Sequence, residues 1–220
     1  MIMDKNIYIL GVGRNSIVTI DLAEACGYTI GGLYHYTEGR TGEDYFGHRI
    51  LGTTDELFAS GDLSGKAFAL SMGDNDIRAS LFQRLQRQGA ELPALIHPSA
   101  VFSKYSICGA GVQVFACCVV DPNVEIGPNT ILSTKCTVLH NCRLGSHCFV
   151  AIDAVVGADT TLDDFAFVGL NATVISVKAN HIGSYGVVGA GAVVTKPVEA
   201  GVTVVGNPAR CLTDRLSHKP

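Results

Sequence analysis

The sequence predicts two architectures in one chain: a small α/β domain with a parallel sheet, followed by a β-solenoid of six-residue units. Three observations predict them. The chain opens with a strand, a glycine turn, a helix and a second strand; from Ile96 to Val174 an apolar residue occupies every sixth position; and a small residue usually stands four positions later. A period of six belongs neither to a helix, which repeats near 3.6 residues, nor to an ordinary strand, which repeats at about two.

The first domain is expected to span residues 1–92. Its predicted elements are a strand at 7–10, a glycine turn at 11–16, a helix at 17–26, a strand at 28–33, a strand at 66–70 and a helix at 76–88. Units of this β-α-β kind form parallel sheets, and parallel sheets bind ligands at the carboxyl ends of their strands. The loops after the three strands should therefore meet in one cavity.

Polar residues and glycines in these loops are the candidate ligand contacts. Glycines let a phosphate approach the backbone N–H groups that open a helix, and the side chain of Arg14 could hold a phosphate or lie in solvent. Ser16 replaces the last glycine of a dinucleotide fingerprint, and no acidic residue follows the second strand, so NAD is not the expected ligand. The candidate substrate-binding residues are Gly11, Gly13, Arg14, Asn15, Tyr34, His35, Asp74 and Asn75.

The second domain is expected to span residues 93–220. Three six-residue units make one triangular turn of 18 residues, and stacked turns lie about 4.8 Å apart, the usual spacing between strands. The pattern slips once, because two extra residues separate Val174 from the next anchor, Ile182. The segment 176–181 should therefore form a loop, and insertions in solenoids commonly contribute to the binding face.

The composition narrows the possible function. With 220 residues, 47% hydrophobic and 16% charged, and a net charge of −4, the chain has no basic stripe that would favour nucleic acid or an anionic membrane surface. It has neither an apolar run of about 18 residues nor a secretion signal, which predicts a cytoplasmic protein. No Cys-x-x-Cys pair occurs among the eight cysteines, so we expect reduced structural thiols and no metal site.

The order of these parts resembles one family over almost the whole chain. After the α/β unit come Leu-Ile-His-Pro-Ser-Ala at 95–100, the hexapeptide solenoid, Gly-Ala-Gly-Ala-Val-Val-Thr-Lys at 189–196, and Gly-Asn-Pro-Ala-Arg at 206–210. This is similar to the acetyl-CoA-dependent hexapeptide acyltransferases that include sialic-acid O-acetyltransferases and N-acetyltransferases of nucleotide-linked amino sugars. The resemblance implies a left-handed parallel β-helix, a homotrimer with acetyl-CoA between subunits, and a sugar substrate delivered by the N-terminal domain.

The resemblance also implies the site residues of the solenoid. His140 matches the family's catalytic histidine, and imidazole is suited to accept a proton near neutral pH. Asn141 stands where the family commonly has Asp or Glu, so a neutral amide would have to orient the ring; Asp153 or Glu125 could instead supply the carboxylate. For acetyl-CoA we expect a backbone N–H at Gly169 or Gly189 to face the oxyanion, and Lys196 and Arg210 to face the phosphates.

The expected reaction is acetylation of the amino group of a nucleotide-linked 4-amino-4,6-dideoxy sugar during surface-glycan synthesis. Acetylation of a sugar hydroxyl is the first alternative. A non-catalytic trimeric scaffold is the second, because Phe149 stands where the family has a second histidine. The zinc-dependent γ-type carbonic anhydrases share the solenoid, and His140, His147 and His181 could suggest their ligands, but those enzymes lack the α/β domain.

Overall fold

The computed structural model describes residues 5–36 and 39–212, and the chain divides into two compact units between Pro98 and Ser99. The outer ends of the two expected domains, 1–4 and 213–220, lie outside the described residues. The dividing point lies a few residues after the expected position 92/93. The reason is that the side chain of Leu95 is fully buried and the thiol of Cys26 donates a 3.3 Å hydrogen bond to the carbonyl of Ile96.

The N-terminal unit is built around a sheet with the strand order β3-β4-β2-β1-β5. Strands β1, β2 and β5 run parallel, as predicted. Strand β4, which was not predicted, adds to β2 in parallel and forms an antiparallel hairpin with β3. The elements are β1 (Asn6–Leu10), α1 (Ser16–Ala25), β2 (Thr29–His35), β3 (Asp44–Tyr45), β4 (His48–Thr53), α2 (Thr54–Ala59), β5 (Ala67–Leu70), α3 (Asn75–Arg87) and β6 (Leu95–Ile96).

The core of this unit packs β1 and β5 against α3. All four residues of β5 are buried, as expected for a strand covered on both faces. Leu10 and Phe68 pack with Phe82 and Leu85 from one side of α3. The sheet therefore presents the carboxyl ends of β1, β2 and β5 at one edge.

The second unit is a left-handed parallel β-helix with three faces. The first, called the Val/Thr face, consists of β7 (Val101–Phe102), β10 (Val119–Val120), β13 (Thr137–Val138), β16 (Val155–Val156), β19 (Thr173–Val174) and β22 (Val193–Val194). The charged face consists of β8 (Ile107–Cys108), β11 (Glu125–Ile126), β14 (Arg143–Leu144), β17 (Thr161–Leu162) and β20 (His181–Ile182). The aromatic face consists of β9 (Gln113–Val114), β12 (Ile131–Leu132), β15 (Phe149–Val150), β18 (Phe167–Val168), β21 (Val187–Val188), β23 (Thr203–Val205) and β24 (Arg210–Cys211).

Each strand of the solenoid from β7 to β22 ends on one of the predicted apolar anchors. From Val114 onward the anchors are buried, whereas Phe102 and Cys108 in the first coil remain half-buried. The small residues at the inner corner positions are also buried, among them Cys118, Cys136, Cys142 and Cys148, and all eight cysteines have free thiols. The expectation of structural cysteines in the core therefore agrees with their placement.

The corners turn at a position that the glycine pattern did not indicate. The residue three places after each anchor usually has a left-handed backbone, for example Asn141 with φ 60° and Asp159 with φ 58°. Asn and Asp adopt this conformation more readily than most residues. The glycines directly after the anchors serve close stacking instead: a Cβ on Gly127 would lie 2.6 Å from the carbonyl carbon of Gly145 in the next coil.

The two extra residues form a loop where the sequence predicts one. Turns and a bend occupy 176–179, and His181 already belongs to β20. Among the helices of the described residues, none has the length and hydropathy that a membrane crossing requires.

Candidate active site

His140 lies at the corner where the chain passes from β13 on the Val/Thr face to β14 on the charged face. Its side chain is exposed, and in the part of the chain that the structure describes no hydrogen bond joins its ring to another residue. The ring is therefore accessible to a ligand on the outside of the solenoid. We call this edge, with the equivalent positions of the other coils at 122–123, 158–159, 176–180 and 196, the His140 corner.

A ladder of side chains runs along the His140 corner beside the histidine. The amide Nδ2 of Asn123 donates to Oδ1 of Asn141 at 2.9 Å, and Nδ2 of Asn141 donates to Oδ1 of Asp159 at 2.9 Å. The backbone N–H of Asp159 also donates to the carbonyl of His140 at 3.1 Å. The Asn141 amide, which we expected to orient the imidazole, bridges the two neighbouring coils in the structure.

The same corner carries Lys196. It stands two residues after the anchor Val194, as His140 stands two residues after Val138, and it belongs to the third coil beyond the histidine. Three coils span about 14 Å at the usual strand spacing. The loop at 176–180 lies on this corner between them, and its Ser176 hydroxyl accepts a 2.9 Å hydrogen bond from the N–H of Ala158.

Lys196 and Arg210, which the sequence predicts to face the phosphates of CoA, line one cavity of about 270 Å³ at the end of the solenoid. Both side chains are exposed, and Glu199 is the acidic residue among the lining residues. The cavity floor is apolar, with Val194, Val198 and Val202 contributing to it. The arrangement suits an anion that is also attached to an apolar arm.

Gly169 and Gly189 lie elsewhere, at the corner between the aromatic face and the Val/Thr face. Their N–H groups are occupied, since that of Gly169 donates to the carbonyl of Val188 at 2.8 Å and that of Gly189 to Val204 at 2.8 Å. Neither N–H is available to a developing oxyanion in this structure, which corrects the expectation from sequence. Both glycines are needed for stacking, because an added Cβ would lie 2.7 Å from the neighbouring coil.

The outer surface of the charged face forms a groove of about 650 Å³ that continues to the glycines and aspartates directly after its strands. Glu125 and Arg143 pair across neighbouring strands at 2.8 Å, and Asp163 pairs with His181 at 2.9 Å. The column of Gly109, Gly127 and Gly145 forms part of the groove. Its wall therefore offers both charges and exposed backbone.

A second cavity, of about 700 Å³, lies in the N-terminal unit at the predicted edge of the sheet. The loops after β1 and β5 both line it, as expected from their position. Of the candidate substrate-binding residues, the structure brings Gly11, Gly13, Arg14, Asn15 and Asp74 to its wall.

The loop after β1 is held by short hydrogen bonds. Ser16 Oγ accepts from the N–H of Gly13 at 2.6 Å and donates to the carbonyl of Gly11 at 3.0 Å. The Tyr45 hydroxyl donates to the carbonyl of Gly13 at 2.9 Å. A Cβ on Gly11 would lie 2.6 Å from Ser71 Oγ, so only glycine fits there.

Tyr34 and His35, two of the candidate substrate-binding residues, are not among the residues that line this cavity. Strand β2 continues through both residues because they pair with Gly52 and Thr53 of β4. Tyr34 packs against the core, and the buried His35 ring places Nε2 2.8 Å from the carbonyl of Val12.

Asn75 is also absent from the cavity wall, whereas Tyr36 lines it, since Tyr36 is the first residue beyond β2. Extending the second predicted strand by two residues would have identified it. The loop after β5 is held by Arg78, which is fully buried and donates to the carbonyl of Met72 at 3.2 Å. Asp74 caps α3 by accepting from the N–H of Ile77 at 2.9 Å.

His140, His147 and His181 do not converge. The buried His147 ring, at the corner between the charged and aromatic faces, has Nδ1 2.8 Å from Nδ2 of Asn129, and His181, in strand β20 on the charged face, pairs with Asp163. Within the described residues, no group of three or more His, Cys, Asp or Glu side chains has an arrangement that could hold a metal ion.

Comparison with known proteins gives the site its context. No protein-family model matches the chain. The GDP-perosamine N-acetyltransferase of Escherichia coli O157:H7 is 28% identical over 203 residues, which is 90% of each chain. The acetyltransferase domain of PglB from Neisseria gonorrhoeae FA1090, solved in complex with acetyl coenzyme A, superposes with a TM-score of 0.86 and 30% identity over 95% of this chain and 100% of that one.

A variant of GDP-perosamine N-acetyltransferase from Caulobacter crescentus, in complex with CoA and GDP-perosamine, has a TM-score of 0.86 and 30% identity, covering 94% of this chain and 96% of that one. These similarities extend over both units. They agree with the expected fold and with N-acetylation rather than O-acetylation. The chain belongs to the hexapeptide-repeat acyltransferases, in the family of acetyl-CoA-dependent N-acetyltransferases that act on nucleotide-linked amino sugars.

Proposed function

We propose that this acetyltransferase transfers the acetyl group of acetyl-CoA to the amino group of a nucleotide-linked 4-amino-4,6-dideoxy sugar, with His140 as general base. A GDP-linked sugar is the first candidate, because two of the similar proteins are GDP-perosamine N-acetyltransferases. The 700 Å³ cavity of the N-terminal unit would hold the nucleotide, with Arg14 near its phosphates.

One observation supports placing the acetyl-CoA site on the solenoid: His140, the loop at 176–180 and Lys196 occupy the same corner. The pantetheine arm of CoA separates the thioester from the pyrophosphate by a length comparable to the three coils between His140 and Lys196. With the thioester at His140, the phosphates would reach Lys196 and Arg210, and the loop would border the arm between them.

The proposed reaction needs no covalent enzyme intermediate. The uncharged amine attacks the thioester carbonyl carbon while His140 accepts a proton from the nitrogen; the carbon–sulfur bond then breaks, and the thiolate of CoA receives that proton. The products are an acetamido sugar and free CoA. Because the His140 ring is exposed at the corner, both reactants can reach it from outside the solenoid.

We further propose that the chain forms a homotrimer. A threefold ring needs two different surfaces on each copy, since its contacts are head-to-tail. The outward residues of the Val/Thr face are uncharged and β-branched, as with Thr137 and Val155, and those of the aromatic face include the stacked rings of Phe149 and Phe167. These two adjacent faces, uncharged apart from Arg210 at the end of the aromatic face, would supply the two surfaces, leaving the charged face for ligands.

In such a trimer the His140 corner of one copy would border a neighbouring copy, as the family resemblance implies. We also propose that the protein is cytoplasmic: its eight free thiols suit a reducing compartment.

The direct test is an acetyl-transfer assay. The purified full chain is incubated with acetyl-CoA and, in separate reactions, with GDP-, UDP-, dTDP- and CMP-linked amino sugars, and the release of the CoA thiol and the mass of the sugar nucleotide are followed. We expect one amino sugar to be acetylated. The matching sugar with a hydroxyl in place of the amine is the control, and turnover of that compound alone would contradict N-acetylation.

A further inference from the structure

The ladder beside His140 ends on a carboxylate in the next coil. Asp159 stands 18 residues after Asn141, in the same left-handed corner position, and its Oδ1 accepts from Nδ2 of Asn141 at 2.9 Å. Its backbone N–H donates to the carbonyl of His140. The side chain of Asp159 is thus hydrogen-bonded to Asn141, the residue next to the candidate base, and its backbone is hydrogen-bonded to the carbonyl of His140 itself.

We infer that Asp159 is the positioning residue that replaces the acidic neighbour of His140, an inference that rests on the proposed role of this histidine. When His140 accepts the proton, its ring becomes an imidazolium ion. A carboxylate nearby stabilises this cation more than a neutral amide does. Asn141 cannot supply that charge itself, but its amide holds Asp159 in place.

The surroundings favour Asp159 over the other acidic residues. Glu125 is paired with Arg143 at 2.8 Å on the charged face, and Asp153 lies at the corner between the aromatic and Val/Thr faces. Asp121 directly follows β10, one coil before the histidine. Asp159 alone among these four is joined through Asn141 to the histidine's own corner.

Asp153 provides a matched control. Both aspartates are exposed and left-handed, with φ 57° at Asp153 and φ 58° at Asp159. An Asp159→Asn change removes the charge but keeps an oxygen that can accept from Asn141, so the ladder and the fold should persist. Asp159→Glu keeps the charge.

The experiment compares wild type, Asp159→Asn, Asp159→Glu and Asp153→Asn in the acetyl-transfer assay at low and high salt. We expect Asp159→Asn to lower kcat about three- to tenfold with an unchanged KM for acetyl-CoA and an unchanged melting temperature. Asp159→Glu should recover most of the loss, Asp153→Asn should resemble wild type, and high salt should narrow the difference between wild type and Asp159→Asn.

Wild-type kcat in Asp159→Asn, or an equal loss in Asp153→Asn, would overturn the inference while leaving the proposed function intact. A His140→Ala protein as active as wild type would instead overturn the role of His140, and this inference with it.

Discussion

The ring of His35 holds the loop that borders the 700 Å³ cavity of the N-terminal unit: its Nε2 lies 2.8 Å from the carbonyl oxygen of Val12. The histidine itself is buried and does not reach the cavity. A residue that the sequence suggested as a substrate contact thus contacts the backbone of the glycine loop that lines this cavity.

Replacing His35 by alanine should weaken binding of the nucleotide sugar. The carbonyl of Val12 would lose this partner, and loosening of the loop should raise the Kd about tenfold, equivalent to about 1–2 kcal/mol. The Kd for acetyl-CoA should not change. Isothermal titration calorimetry with each ligand measures both constants. His48→Ala, which removes a histidine paired with Glu24 at 3.4 Å, is the control, and an equal effect in both variants would count against this role.

Replacing His140 by alanine should affect the chemical step. Loss of a general base lowers kcat by about 10²–10⁴-fold, while the Kd for acetyl-CoA should stay close to that of wild type. Steady-state kinetics and titration of acetyl-CoA separate the two quantities. His181→Ala removes another exposed imidazole of the solenoid and serves as the comparison. If His140→Ala kept near-normal turnover, another group would have to accept the proton.

Replacing Thr137 by arginine should disrupt the proposed trimer. Thr137 points outward from the Val/Thr face, where a buried cation in the interface would lack a partner. Thr161→Arg places the same change on the charged face and should leave assembly intact. Sedimentation velocity should show a trimer for wild type and Thr161→Arg, and smaller species for Thr137→Arg. A monomeric wild type, or a trimeric Thr137→Arg protein, would refute the assignment of this face.

The buried thiol of Cys142 should make the fold sensitive to alkaline pH. Burial raises the pKa of Cys142 from 9.0 to about 11. Below about pH 9 the thiol is neutral in both the folded and the unfolded chain, so its burial contributes fully to the stability of the fold. As the pH rises from about 9 towards 11, the unfolded chain ionises first and stability is lost.

This effect can be isolated by removing the thiol. Between about pH 7 and pH 10, the melting temperature of wild type should fall further than that of Cys142→Ala. Ala172 already occupies an equivalent inner corner, so the smaller side chain is compatible with the fold. If the melting temperatures of the two proteins fall by the same amount over this range, a group other than Cys142 causes the loss of stability at alkaline pH.

Much of the fold could be predicted because the same six-residue pattern recurs in every coil of the solenoid. Anchors such as Val138 and Val156 recur at a constant spacing and are buried where the period places them. The glycine turn before α1 likewise predicted a β-α-β unit. The hairpin of β3 and β4 was not predicted, since two-residue strands such as β3 (Asp44–Tyr45) have no periodicity to detect.

Site residues could be predicted where the residue type and its position in the repeat were enough to indicate a role. They could not be predicted where hydrogen bonds between coils determine which groups are available. His140 stands outside the anchor and inner-corner positions, so its exposure follows from the repeat. The hydrogen bonds that occupy the N–H groups of Gly169 and Gly189 depend on strands one coil away. Similarly, the end of β2 depends on its pairing with β4, which placed His35 in the interior and Tyr36 at the cavity.

The sequence by itself determined the two-unit architecture, the six-residue coil and the family, because these depend on patterns within the chain. Only the tertiary structure decided which polar groups remain available for chemistry. Asn141 illustrates the reason: its amide is free to orient a ring when the sequence is considered alone, yet coil stacking commits it to Asn123 and Asp159. A side-chain amide can make only a few hydrogen bonds, and its partners 18 residues away in the sequence are brought next to it only when the coils stack.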